Sequence, residues 1–414
     1  MSNNTNELNC RVCDSKDMQE VLDFGFSPLA NNLLDSLEDK EELFPLKLLK
    51  CQHCHNCQLS EIVKPEKMFV NYLYVTSTAK STRQHFENAA EKYISMFNLT
   101  DESFVIDVGS NDGTALSPFK QRNVKVLGVD PAQNVCEIAN KNGIPTLNGF
   151  FNDDMALKIS SSNKKADLIT ASNVFAHSDT LKNITKNVFK LLKEDGVFIV
   201  EVQYLLNTLK DMTFDNIYHE HVNYWSLTSL DYFFKLLGFR IFKSETLNTH
   251  GGSLRVYVDN NVREVDYSVV FMLNTENENR LTNFDAYQKF SDGVKTRRDN
   301  VLNNIKNLRK TTTLVGYGAP AKATTLLNYY GITRDYIEFV IEDNKLKHNK
   351  FIPKVKIPIY DKTALKKENK IIIVFAWNYY EEIIKHNQDL ISKGIKLINI
   401  KDLENENFNC HSNI

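Results

Sequence analysis

Apolar and polar positions along the chain change period several times, and each change marks an element. Phe104 to Val108, Val124 to Val129, Leu168 to Ser172 and Val197 to Val202 are short apolar runs rich in β-branched residues, the pattern of buried parallel strands. Stretches of helical spacing separate them, which predicts a mostly parallel sheet with helices on both faces. Ahead of this region, Phe86, Ala89, Ala90, Tyr93, Met96 and Phe97 fall on one side of a helix expected from Lys80 to Phe97. A further strand is expected at Leu254 to Val258, followed by connecting helices from about Thr275 to Lys310. A second strand series then begins at Thr313 to Gly316, Phe339 to Ile341, Ile371 to Phe375 and Lys396 to Ile400. Its first strand runs into the glycine turn Gly316-Tyr-Gly318-Ala-Pro-Ala-Lys322, and its second ends at Glu342-Asp343. The order strand, glycine turn, helix, strand, acid is thus used twice, so a second Rossmann-like unit is expected, with a second nucleoside-type pocket.

The first glycine turn carries the clearest chemistry. Asp107-Val-Gly109-Ser-Asn111-Asp112-Gly113 follows the Phe104 to Val108 strand, and Asp130 ends the next one. Glycines let the backbone turn tightly and approach a ligand, and a carboxylate about 20 residues on is placed to accept from ribose hydroxyls. That spacing fits either NAD or S-adenosylmethionine. A dinucleotide site needs a third glycine and a bare helix N-terminus facing a pyrophosphate. Here the turn carries Asn111 and Asp112, which suit a zwitterionic amino-acid moiety and favour S-adenosylmethionine. The turn resembles motif I of class I methyltransferases, with Asp130 as their ribose-binding acid.

Composition removes several function classes. The 414-residue chain carries 50 Lys plus Arg against 52 Asp plus Glu, a net charge of −2, with no long basic block, so the footprint of a nucleic-acid binder is missing. No apolar stretch is long enough to span a bilayer, and the chain does not open with a cationic segment followed by an apolar one, so a cytoplasmic protein is expected. Five of the seven cysteines precede residue 60. Cys10-Arg-Val-Cys13 and Cys51-Gln-His-Cys54 are two C-x-x-C knuckles, able to close a tetrahedral structural zinc site from two loops. The 37 residues between them must loop out, and a redox pair is the alternative for either knuckle alone. Cys57, His53 and His55 are expected to stand by, since four thiolates complete the site. The expected fold class is α/β: a zinc-binding module (1–70) followed by two Rossmann-like doubly wound domains (71–245 and 246–414).

Ligands in open α/β sheets bind outside the carboxyl ends of the strands. Asn173-Val-Phe-Ala-His177 follows the Leu168 to Ser172 strand, so Asn173 and His177 are expected at the pocket. Tyr218-His219-Glu220-His221 places two imidazoles, a carboxylate and a phenol within four residues, a concentration suited to acid/base work. A metal triad is disfavoured because neighbours on a helix or strand point to different faces; Tyr218 and His221 share a helical face, or Tyr218 and Glu220 a strand face. Tyr72 and Tyr74, in Asn71-Tyr-Leu-Tyr74, alternate as strand-like neighbours at a domain junction, where substrate contact is plausible.

Taken together, the chain resembles the sugar C-methyltransferases of deoxysugar pathways, over nearly its whole length. The resemblance rests on both knuckles, Pro28-Leu-Ala-Asn31, Gln58-Leu59, Asn71 to Tyr74, the Asp107 to Gly113 turn, Asn173 to His177, Tyr218 to His221, His250-Gly-Gly-Ser-Leu-Arg255, Gly316 to Lys322 and Trp377-Asn378. It departs at Cys57, where an aliphatic residue is usual, and at His55, where glycine is common. The family implies a zinc module, a central S-adenosylmethionine domain, and a C-terminal Rossmann-like domain that helps hold a nucleotide-linked 4-keto hexose, on dTDP or another nucleoside diphosphate. It implies His221 as the base, Glu220 as its orienting partner, and Tyr218, His177 and Tyr72 as further active-site groups; a monomer is expected. Rival readings are an O-methyltransferase on a nucleotide sugar, a zinc-ribbon RNA methyltransferase, which the charge disfavours, and a non-catalytic nucleotide-sugar-binding protein. A dehydrogenase is disfavoured because the second glycine turn lacks the full fingerprint.

Overall fold

A computed structural model describes residues 8–69, 75–78, 80–161, 164–248, 251–366 and 369–408. Tyr72, Tyr74 and His250 lie outside the described residues. Strand propensity and burial agree, and three sheets form among the described residues. In the first, β1 (Met18–Pro28), β2 (Leu43–Cys51) and β3 (Cys57–Leu59) run antiparallel, and the long loop expected between the knuckles is the β1–β2 hairpin. The amphipathic helix Lys80–Phe97 appears where the spacing predicts it and buries Ala89, Ala90 and Tyr93.

The second sheet holds β4 (Phe104–Val108), β5 (Lys125–Asp130), β6 (Thr146–Asn148), β7 (Ala166–Ser172) and β8 (Leu192–Gln203), all parallel. Between β8 and the rest of this sheet the chain makes a detour. The two-residue strand β9 (Asn223–Tyr224) leaves it and pairs with β3, becoming the fourth strand of the first sheet. The chain then returns with β10 (Arg240–Leu247) and β11 (Ser253–Asp259), and the order across the second sheet is β10-β11-β8-β7-β4-β5-β6. β11 is antiparallel to both neighbours. The expected boundary at residue 245 therefore falls inside β10, and the strand at 253–259 completes this sheet. A period-two apolar run announces a strand but not which sheet it joins.

Helices Tyr267–Glu278 and Asp285–Arg309 bridge to the third sheet. It comprises β12 (Thr313–Tyr317), β13 (Ile337–Ile341), β14 (Phe351–Ile352), β15 (Ile357–Tyr360), β16 (Asn369–Val374) and β17 (Lys396–Asn399), in the order β14-β15-β13-β12-β16-β17. Only β14 is antiparallel, so the second doubly wound unit forms as the repeated pattern predicts. Its glycine turn is filled by its own side chains. Glu342 accepts from the Ala319 N–H (2.8 Å), and the Lys347 ammonium donates to the Ala319 carbonyl (2.8 Å). Among the described residues no helix is long and apolar enough to cross a membrane.

Candidate active site

The carboxyl ends of β4, β5, β7 and β8 open onto one cavity of about 830 Å³, in the upper part of the range of small-molecule sites, about 300–1,000 Å³. Gly109 has φ +71°, and a Cβ there would lie 2.5 Å from Val174 Cγ2. Only glycine fits that turn. Asp130 ties the turn to the next strand: its carboxylate accepts from the N–H groups of Asn111 (2.8 Å) and Ala132 (2.9 Å). Each carboxylate oxygen has a second lone pair, so Asp130 can still accept from ribose hydroxyls. Gly113 (φ +80°) packs against Ile144 instead of lining the cavity.

Asn111 and Asp112 do something the sequence does not reveal. Asn111 lines the cavity, but its side-chain oxygen accepts from the Thr76 N–H (3.0 Å). Asp112 accepts from the Ser77 N–H (3.0 Å) and from the Thr114 hydroxyl (2.7 Å) and is not among the cavity-lining residues. Both therefore anchor the segment 76–78 to the turn. Asp107 is buried at the end of β4 and lines the cavity. Burial pushes its carboxyl up to about 7, against the Thr170 hydroxyl, which donates to it at 2.6 Å, and helped by the Asp130 charge.

This raised acid leads to a stability prediction. A folded-state pKa above the unfolded value stabilises the chain fully only at low pH, and the contribution is lost as pH rises from about 4 to about 7. Asp107→Asn is therefore expected to stabilise the ligand-free protein relative to wild type at pH 8, by of order 1–4 kcal/mol, and less at pH 5. The same change is expected to abolish S-adenosylmethionine binding. Urea denaturation at the two pH values and titration calorimetry check both parts.

The two knuckles meet as the spacing predicts. The sulfurs of Cys10, Cys13, Cys51 and Cys54 all lie within 4.8 Å of one another; tetrahedral Zn–S bonds of about 2.3 Å place sulfurs about 3.8 Å apart. The donor set fits a closed structural zinc site. Cys57, His53 and His55 stand aside, with the His53 ring on the Tyr232 hydroxyl (3.0 Å) and His55 on Lys50 (3.3 Å). The module also grips the segment after residue 217. Arg11 donates to the carbonyls of Val222 (2.9 Å) and Leu59 (2.7 Å), and Asn31 donates to the Glu220 carboxylate (2.6 Å).

Tyr218 to His221 form a turn between the short helix Phe214–Asn216 and β9, not a helix. The turn still brings Tyr218 and His221 together, with the phenol 3.1 Å from His221 Nε2. His221 Nδ1 lies 2.8 Å from the Asn216 carbonyl. A carbonyl only accepts, so Nδ1 carries the hydrogen and Nε2 holds the lone pair in the neutral ring. A backbone carbonyl thus orients the His221 ring, and the Glu220 carboxylate is held by Asn31. The N–H groups of Val222 and Asn223 both donate to the Ala176 carbonyl (2.7 and 3.1 Å), which presses this turn against the loop after β7. His177 and His221 meet there, ring centroids 4.8 Å apart. Asn173 and His177 line the cavity; Tyr218, Glu220 and His221 are not among its lining residues. Burial pulls His177 down to about 4, opposed by the Glu220 backbone carbonyl. His219 points elsewhere, to the Pro45 carbonyl (3.2 Å).

Sequence reasoning missed Glu201 and His85, which also line the cavity. Glu201 sits within an apolar strand, and His85 lies one residue before the apolar stripe of its helix. The C-terminal unit also lines the cavity, through Asn378, Tyr379, Glu381 and Glu382. Trp377 donates to Asp215 (2.6 Å), locking that unit to the short helix that holds His221.

Comparison with known proteins fits this arrangement. Residues 10–69 match a zinc binding domain family, 82–244 a methyltransferase domain, and 248–400 a C-methyltransferase C-terminal domain. The C-methyltransferase NovU of Streptomyces niveus is 34% identical over 398 residues, covering 94% of each chain. Among solved structures, the PH0226 protein of Pyrococcus horikoshii is 16% identical, covers 48% of this chain and 99% of its own, and has a TM-score of 0.37. Magnesium protoporphyrin IX methyltransferase of Synechocystis is 14% identical, over 42% of this chain and 82% of its own, with a TM-score of 0.35. With its zinc module, its cofactor turn and its C-terminal unit each matched in order, the chain belongs to the C-methyltransferase family and is an S-adenosylmethionine-dependent methyltransferase.

Proposed function

We propose that the protein methylates a carbon next to the ketone of a nucleotide-linked 4-keto hexose, with His221 as the base. The observation that carries this reading is the His177–His221 pair after β7, in which His177 lines the cofactor cavity and His221 stands directly against it. A ketone acidifies the neighbouring C–H bond, and a base with a pKa near neutrality removes that proton most effectively. His177, pulled down to about 4 by burial, is too weak a base for this and serves as a neutral hydrogen-bonding ring. His221 takes the proton on Nε2, while Nδ1–H stays on the Asn216 carbonyl. The electron pair moves into the carbonyl as an enolate, and the Tyr218 hydroxyl, released from Nε2 as that nitrogen takes the proton, donates to the developing charge. S-adenosylmethionine supplies the electrophilic methyl group, and the enolate carbon accepts it. Support for a nucleotide on the sugar comes from Lys322. Its ammonium is buried 5.0 Å from the Trp377 ring centroid with no hydrogen-bond partner among the described residues, a cation suited to a diphosphate.

The test is a panel of nucleotide-linked 4-keto hexoses carrying deuterium at the carbons flanking the ketone, incubated with S-adenosylmethionine and read by mass spectrometry. A methylated product that has lost one carbon-bound deuterium is expected. A product retaining all deuterium means methylation of oxygen or nitrogen and overturns the reading.

A further inference from the structure

Behind His85 a ladder of charge crosses three strands. Glu201 on β8 stands opposite Arg255 on β11, and Arg255 stands opposite Glu245 on β10. Arg255 donates to Glu201 at 2.8 and 3.2 Å and to Glu245 at 3.0 Å. Lys92 and the Tyr257 hydroxyl complete Glu245, and the guanidinium lies 5.3 Å from the Tyr93 ring centroid. Arg255 thus bridges both carboxylates. The Glu201 end reaches the cavity. There His85 Nε2 lies 3.0 and 3.1 Å from the two carboxylate oxygens. A carboxylate beside an arginine only accepts, so Nε2 carries the hydrogen and Nδ1 is the nitrogen left to the cavity. Among the described residues Nδ1 has no hydrogen-bond partner.

Strand order says which part of the cavity this is. β8 stands three strands from β5, so Glu201 lies roughly 14 Å from the ribose acid Asp130 at about 4.8 Å per strand. With its ribose at Asp130 and its zwitterionic amino-acid end laid across β4, a cofactor would reach the β8 end of the cavity, which Glu201 and His85 line. The two side chains that the sequence assigns to that zwitterion, Asn111 and Asp112, hold the backbone of Thr76 and Ser77. His85 belongs to the helix Lys80–Phe97, which follows in sequence, and it lines the cavity with one ring nitrogen uncommitted.

We propose that His85 hydrogen-bonds the amino-acid end of S-adenosylmethionine, with Glu201 and Arg255 as positioning residues that fix its ring. A neutral Nδ1 accepts from the ammonium, and a protonated one donates to the carboxylate, so either form holds the same end. The inference rests on the cofactor alone and is independent of the sugar reading. It is tested by titration calorimetry with S-adenosylhomocysteine, which keeps the amino-acid end, and 5′-methylthioadenosine, which lacks it. His85→Ala is expected to weaken S-adenosylhomocysteine about tenfold or more and to leave 5′-methylthioadenosine unchanged. His85→Phe keeps the ring volume, removes both nitrogens and is expected to behave alike, which covers a failure of the alanine variant to fold. Equal losses for both ligands overturn the proposal in favour of a structural role. Unchanged S-adenosylhomocysteine affinity also overturns it, because His85 then does not touch the cofactor.

Discussion

Replacing His221 by alanine lowers the turnover number by about 10²–10⁴, the range for loss of a positioned general base, while S-adenosylhomocysteine binds with wild-type affinity. The two effects separate because His221 is not among the cavity-lining residues, whereas Asp107, Gly109 and Asp130 are. His177→Ala is the control. Its ring faces the cavity but is pulled down to about 4, so its loss lowers the rate less and leaves the pH profile of turnover unchanged between pH 6 and 8. Rate measurements across that pH range with both variants decide the matter: wild-type turnover by His221→Ala sinks the base assignment. Tyr218→Phe takes the phenol from His221 Nε2 and is expected to fall between the two.

Removing zinc has the largest expected effect on the fold. Structural zinc contributes about 10–16 kcal/mol in small zinc modules at pH 7, comparable to the whole stability of a domain. Cys51→Ser, or a strong chelator applied during refolding, is expected to melt β1 to β3 and to abolish activity together. The second loss follows from β9. That strand pairs with β3 immediately after the Tyr218 to His221 turn, and Arg11 and Asn31 hold the Val222 carbonyl and the Glu220 carboxylate. Thermal melts paired with activity at graded zinc occupancy test this. Full turnover in a zinc-free, unfolded module would falsify the coupling. Cys57→Ser is expected to leave zinc content unchanged, because that thiol lies outside the four-sulfur cluster.

Much of this was legible in the sequence because it depends on local pattern. β4 spans the predicted residues, the helix Lys80–Phe97 has its predicted ends, and both glycine turns follow their predicted strands. The four zinc-ligating cysteines were legible for the same reason, since the knuckles are short-range motifs. What escaped depends on partners distant in the chain. Nothing near Glu220 indicates that Asn31 holds it, and a backbone carbonyl such as that of Asn216 leaves no trace in side-chain identity. The Glu201–Arg255–Glu245 ladder needs the register of three strands joined by two antiparallel pairings, and its members are scattered through apolar runs. The place of β11 in the second sheet escaped because pairing is a tertiary choice.

The excursion of β9 also sets an order of events in time. The zinc ligands and the three strands beside them are all present once residue 59 has been made, but the fourth strand is not complete until Tyr224. At about 5–20 residues per second of synthesis, the hairpin waits roughly 10–30 s with the edge of β3 unpaired, an open template for other chains. Metal can load during that wait, on the nascent chain. The arrangement of His177 and His221 comes only after the intervening sheet has been threaded and the late strand docks.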